Sequence, residues 1–233
     1  GIQCTCMTDN AQAAADGAAK LCGAIGDSGE VALIVQDSVS GNARERAEAF
    51  RQEIAEGHPG VSIVETIYMD QLDEMKRQAA AEELGVTSEE LAAWTEAASG
   101  LGEGSDSDAE GETISEEAKT KLEDIDSVAG AMSDEEAAAY YLSKHPELKG
   151  CFGTNADAVT LGLETLRAME KSEEIALVGF DAGKEQLEAL ESGEIDGLVV
   201  QNPFGMGYAT VGAAARTILE IGNEAVVDTG YTW

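Results

Sequence analysis

The chain has 233 residues, of which 43% are hydrophobic, and it carries 14 Lys plus Arg against 46 Asp plus Glu for a net charge of -32. That length and apolar fraction suffice for one substantial core or two small ones. A surface so negative repels phosphate backbones and anionic headgroups, which disfavours nucleic-acid and membrane-surface partners and reads as a solvated coat adapted to salt or to an extracellular setting.

In chain order, residues 3–7 form a short strand, and Thr8-Asp9-Asn10 leads into an alanine-rich helix over 11–25. Residues 30–36 are a buried strand, and 43–56 a helix with Ala47, Phe50 and Ile54 on one face, stopped at His58-Pro59-Gly60. The β-branched run 61–68 is a third strand, and a further helix begins near Leu72.

Between residues 85 and 133 the alternation breaks. Three potential capping boxes, Thr87 with Glu90, Thr113 with Glu116 and Ser133 with Glu136, flank an acidic, glycine-rich low-complexity stretch. The expectation is a mobile insertion bearing short surface helices. Within it, residues 106–117 imitate a calcium loop, with Asp106, Asp108, Glu110, Gly111 and Glu117 at the positions an EF-hand requires. Thr113 replaces the usual aliphatic residue and Gly100, Gly102 and Gly104 break the helix that should enter the loop, so the segment is read as an acidic loop without metal.

Alternation resumes with a helix over 134–144, a strand over 150–154, a helix over 156–170 and a strand over 175–181. A helix over 184–191, a strand over 197–201 and a helix over 206–221 follow, before the terminal run 226–230. Strands alternating with helices imply an α/β fold, a three-layer α/β/α sandwich around a doubly wound parallel sheet. Three of the strands end on polar side chains, at Asn155, Asp181 and Gln201. Ligands of open parallel sheets sit beyond the carboxyl ends of the strands, so these three converge on one cleft.

No apolar run reaches the length of a membrane span, and Gly1-Ile2-Gln3-Cys4 has neither the basic nor the apolar region of a signal peptide, so the chain as given carries no address. Cys4, Cys6, Cys22 and Cys151 lack zinc-site spacing and are expected as buried free thiols. Both histidines, His58 and His145, precede a proline, no Ser or Cys nucleophile has a base nearby in sequence, and no phosphate-binding glycine loop follows a strand. No enzymatic activity, cofactor or metal is expected.

Several ordered runs resemble the type I periplasmic sugar-binding proteins, the ribose- and galactose-binding family serving ABC transporters. They are Thr8-Asp9-Asn10, Gly29-Glu30-Val31-Ala32-Leu33-Ile34, Asn42-Ala43-Arg44-Glu45-Arg46-Ala47, His145-Pro146-Glu147-Leu148-Lys149-Gly150, Val178-Gly179-Phe180-Asp181 and Gln201-Asn202-Pro203-Phe204-Gly205. The resemblance implies a carboxy-terminal lobe over 1–201, with 85–133 as its insertion. Residues 202–233 would return toward an amino-terminal lobe that is not in this sequence. It also implies an extracytoplasmic (periplasmic or cell-surface) receptor for a pentose or hexose, with an ABC transporter permease as partner and contact with the membrane only through a lipid anchor outside the chain. Arg46, Asn155, Asp181 and Gln201 match the family's sugar contacts, with Phe180 and Asp37 beside the cleft and Asp9 at the first crossing. One departure stands out: near Met69, sugar-binding members place an aromatic ring, which only Tyr68 would supply here. The alternative is the effector-binding domain of a lac-repressor-type regulator, which shares the fold.

Overall fold

A computed structural model of the chain describes residues 1–100 and 115–233. Its order is β1 (Thr5–Met7), α1 (Asn10–Ala24), β2 (Gly29–Val35), α2 (Gly41–Gly57), β3 (Val61–Tyr68), a 3-10 turn (Met69–Gln71), α3 (Leu72–Glu83) and α4 (Ser88–Gly100). After the undescribed residues come α5 (Glu116–Ala131), α6 (Asp134–Ser143), β4 (Leu148–Gly153), α7 (Ala156–Ala168), β5 (Ala176–Phe180) and α8 (Lys184–Ser192). β6 (Gly197–Gln201), α9 (Pro203–Ile218), β7 (Val226–Asp228) and β8 (Tyr231–Thr232) complete the chain.

The main sheet runs β3-β2-β4-β5-β6-β8, parallel except for β8, which pairs antiparallel with β6. Successive residues of a strand face opposite sides, and the apolar runs fill both. Val31, Leu33 and Val35 of β2 join Phe152, Val178, Phe180 and Val199 beneath α1 and α2. Ala32 and Ile34 join Cys151, Leu177 and Leu198 on the other face, under α6 and α7. The three-layer sandwich expected from the alternation is present.

Close approach between β4, β5 and α7 depends on glycine. A Cβ at Gly179 would lie 2.2 Å from Val159 Cγ2 and 2.6 Å from the Gly153 carbonyl oxygen. Neither neighbour can retreat, one being a fully buried side chain of α7 and the other being backbone. Gly179→Val is therefore expected to destabilise the fold by about 3 kcal/mol, as overpacking of a closed core does, read as a lower urea midpoint at unchanged slope.

The segment expected as short surface helices instead contributes α4 and the 16-residue α5, which have their own apolar core. Leu91, Leu122, Ile125 and Ala129 pack with Ala80 and Ala81 of α3. The Thr87–Glu90 and Ser133–Glu136 boxes form as expected. At α5 the cap is Ser115, whose hydroxyl accepts from the Ala118 N–H at 3.1 Å. Thr113 and the calcium-like residues 106–114 lie outside the described residues.

A second, two-stranded sheet pairs β1 with β7 in parallel. Helix α9 lies against β1, and none of its residues is buried. No described helix is long and apolar enough to cross a membrane. The cysteine expectation is corrected in part: Cys22 and Cys151 are buried, whereas Cys4 and Cys6 on β1 are partly exposed.

Candidate ligand-binding site

Each parallel strand delivers its last residue to the same end of the sheet. Asp181, just past β5, stands at φ 72, a left-handed conformation unusual for a residue with a side chain and of the sort found where a site imposes it. There its Oδ1 accepts from Gln201 Nε2 at 2.7 Å and its Oδ2 from the Ala156 N–H at 3.2 Å. Asp181 and Gln201 are thus brought together directly, and the carboxylate faces the N-terminus of α7, where backbone N–H groups favour negative charge. Asn155 caps α7, its Oδ1 accepting from the Ala158 N–H at 2.9 Å. Gln186 braces this turn from below, donating to the Ala156 carbonyl at 2.7 Å.

Arg46 reaches the site from α2 and is only 3% exposed. Its Nε donates to Asn10 Oδ1 at 2.8 Å, its Nη1 to the Thr154 carbonyl at 2.7 Å, and its guanidinium lies 4.0 Å from the centroid of the Phe180 ring. Burial pushes its pKa down while the charges of Asp181 and Glu45 push it up, and a guanidinium stays cationic through such opposition. A buried cation held by two neutral acceptors and an aromatic face is oriented, and only its surplus donors are left for something else.

The remaining expected residues occupy different roles. Phe180 exposes none of its surface; it supports Arg46 and meets Phe152 edge to face. Asp37 closes the turn after β2, accepting from the Val39 N–H at 2.9 Å and from the Ser40 hydroxyl at 2.6 Å. The Ser40 bonds hold its carboxyl below the usual range. Asp9 caps α1 by accepting from the Gln12 N–H at 3.0 Å and joins the β7 crossing through its own N–H, which donates to Asp228 Oδ1 at 3.1 Å. Tyr68 turns toward α2, its hydroxyl accepting from Arg51 Nη2 at 3.1 Å, while Met69 packs against the opposite core. The ring at the end of β3 is thus engaged with α2.

Sequence reasoning overlooked Asn10 and Thr154. Asn10 is 5% exposed and is the acceptor that fixes Arg46; the only signal was a second polar residue after the Asp9 cap, which is uncommon at a buried helix start. Thr154 contributes twice, its carbonyl to Arg46 and its hydroxyl to the Gln36 N–H at 3.0 Å.

Among the described residues, Arg46 Nη2, the Asn155 side-chain NH2 and Gln201 Oε1 make no hydrogen bond. The Asp181–Gln201 bond, the Ala156–Asp181 bond and the Arg46–Phe180 contact make these residues neighbours at one end of the sheet. A polyol hydroxyl both donates and accepts, so this set suits vicinal hydroxyls: the carboxylate takes their protons and the guanidinium and amide donate to their oxygens.

A family model described as periplasmic binding protein domain matches residues 99–220. Among solved structures, a carbohydrate transporter solute-binding protein from Agrobacterium radiobacter in complex with D-arabinose superposes with a TM-score of 0.65 at 22% identity. The match covers 99% of this chain and 60% of that one. An arabinose-binding protein from Geobacillus stearothermophilus gives 0.65 at 18%, over 97% and 61%. An ABC transporter solute-binding protein from Agrobacterium vitis bound to α-D-tagatopyranose gives 0.65 at 24%, over 99% and 57%. The chain therefore spans about 60% of the length of the first of these structures. No curated protein sequence matches the chain. The family match extends over more than half of the residues, across the strands that carry Asn155, Asp181 and Gln201, and the chain belongs to the periplasmic binding protein domain family.

Proposed function

We propose that the chain is the carboxy-terminal lobe of an extracytoplasmic receptor that captures a pentose or hexose and delivers it to the permease of an ABC transporter. Residues 1–201 form this lobe, 85–133 are its insertion, and 202–233 lead toward a second lobe. The observation that carries the reading is the joined set Arg46, Asp181 and Gln201, with Asn155 beside it, at the carboxyl ends of β4 to β6. A sugar hydroxyl both donates and accepts, so the unbonded donors and acceptors of this set can serve it. The arabinose and tagatose bound by similar structures support the same ligand class. Asp37 and Asp9 shape the rim, and a lipid anchor outside the chain would hold the receptor at the membrane.

A ligand that binds only the native state raises the melting temperature by mass action. In the full-length protein, a thermal-shift screen should give a rise of several degrees with one pentose or hexose at millimolar concentration, and none with nucleosides. A nucleoside hit without a sugar hit would redirect the proposal to another small polar ligand. The absence of any hit, with titration calorimetry also silent, would overturn it.

A further inference from the structure

The four thiols divide into two kinds by exposure, although Cys4 too is pushed up, by burial and by its neighbours Cys6 and Glu224. Cys22 and Cys151 expose no surface, and burial pushes them up to about 11 and about 12, so neither has appreciable thiolate at neutral pH. Cys4 and Cys6 are partly exposed, two residues apart on one face of the β1 segment, with their sulfurs 3.8 Å apart. Cys6 is fixed opposite Val227 of β7, and the Thr5 N–H donates to the Ala225 carbonyl at 2.9 Å. Cys4 precedes the first residue of β1, so its backbone can adjust without breaking the ladder. It also opens on a groove of about 510 Å³ beneath α9, bordered by Tyr208, Arg216, Glu224 and Val227 and wide enough for a small reagent.

Two residues of extended strand separate Cα atoms by roughly 6.6 Å, at the upper end of what a disulfide spans. Bridging is therefore within reach of a small shift at Cys4, and the bond formed would be of the readily reduced kind. We propose that Cys4 and Cys6 are a redox-responsive Cys-x-Cys pair that closes to an intrachain disulfide by exchange with a low-molecular-weight disulfide. One thiol loses its proton and attacks a sulfur of the reagent, expelling one thiol and forming a mixed disulfide. The second thiol then loses its proton and attacks the protein sulfur of that bond, expelling the other half of the reagent as a second thiol. Two cysteines are oxidised by two electrons, one disulfide is reduced to two thiols, and the two protons pass to the leaving groups.

The reaction uses none of the sugar-binding residues, and because the proposed second lobe would cover the α9 face that borders this groove, it is tested on the 233-residue chain. The test is to incubate that chain with oxidised glutathione, alkylate the remaining thiols and map the peptides by mass spectrometry. The expected result is a Cys4–Cys6 bridge two hydrogens lighter than the dithiol, with Cys22 and Cys151 still alkylated and the bridge reopened by dithiothreitol. Cys4→Ser should arrest the reaction at a glutathione adduct on Cys6. Persistent adducts in the unsubstituted protein, a cross-link between two copies, or full alkylation of Cys4 and Cys6 after oxidant would each overturn the proposal.

Discussion

Asp181→Ala in the full-length protein is expected to weaken sugar capture by about 2 kcal/mol or more, roughly 30-fold in Kd, because it leaves a hydroxyl pair without its charged acceptor in a desolvated site. Arg46→Ala should weaken binding by a similar factor. The two variants part company in stability. Arg46 is buried and holds Asn10 Oδ1 and the Thr154 carbonyl, so its loss leaves both without that donor and removes the cation from the Phe180 face. About 2–3 kcal/mol of folding free energy should go with it. At Asp181 the left-handed backbone offers a cleaner separation, since glycine adopts φ 72 without penalty and alanine does not. Asp181→Gly should therefore lose binding as fully as Asp181→Ala while remaining more stable than it. Titration calorimetry and urea unfolding on the same preparations check both halves. Unchanged affinity in Asp181→Ala and Arg46→Ala would remove these residues from the site.

The boundaries of β2 to β6 were legible because each is a short apolar run ending in a polar residue or a helix cap, and the parallel sheet buries both faces of such a run. The meeting of Asp181 with Gln201 followed from topology alone. What occupies the inside of Arg46 did not. Its acceptors are Asn10, 36 residues earlier, and the Thr154 backbone, 108 residues later, and no local pattern encodes either. The strand β8 was missed for a related reason. Two residues, Tyr231 and Thr232, have no periodicity to read, and their antiparallel pairing with Val200 and Gln201 is tertiary. It depends on Gly197, where a Cβ would meet the Trp233 ring at 2.1 Å, a contact invisible before the fold is known. The helices α4 and α5 were underestimated because glycine-rich acidic sequence between them masked two apolar stripes that complete a core with α3.

The other large effect belongs to α9. This 16-residue helix contains Gly205, Gly207 and Gly212, each costing about 1 kcal/mol relative to alanine, and isolated helices of its length are marginal in water even with good formers. Tertiary contact must therefore supply its stability, yet Phe204 is 83% exposed, Tyr208 77%, Val211 71% and Ile218 81%. An uncovered apolar face of that kind drives association. In the two-lobed receptor we propose, the second lobe covers it; in the 233-residue chain alone, the expected cover is a second copy. Light scattering should then give a mass that rises above the monomer with concentration, and the pair Val211→Lys with Ile218→Lys should return it to the monomer. Sugar affinity of the chain alone should be at least ~100-fold below that of the full-length protein, since half the hydrogen-bond partners and the closure that excludes water are gone. A chain that stays monomeric at all concentrations and binds sugar with full affinity would show that one lobe suffices and that α9 needs no partner.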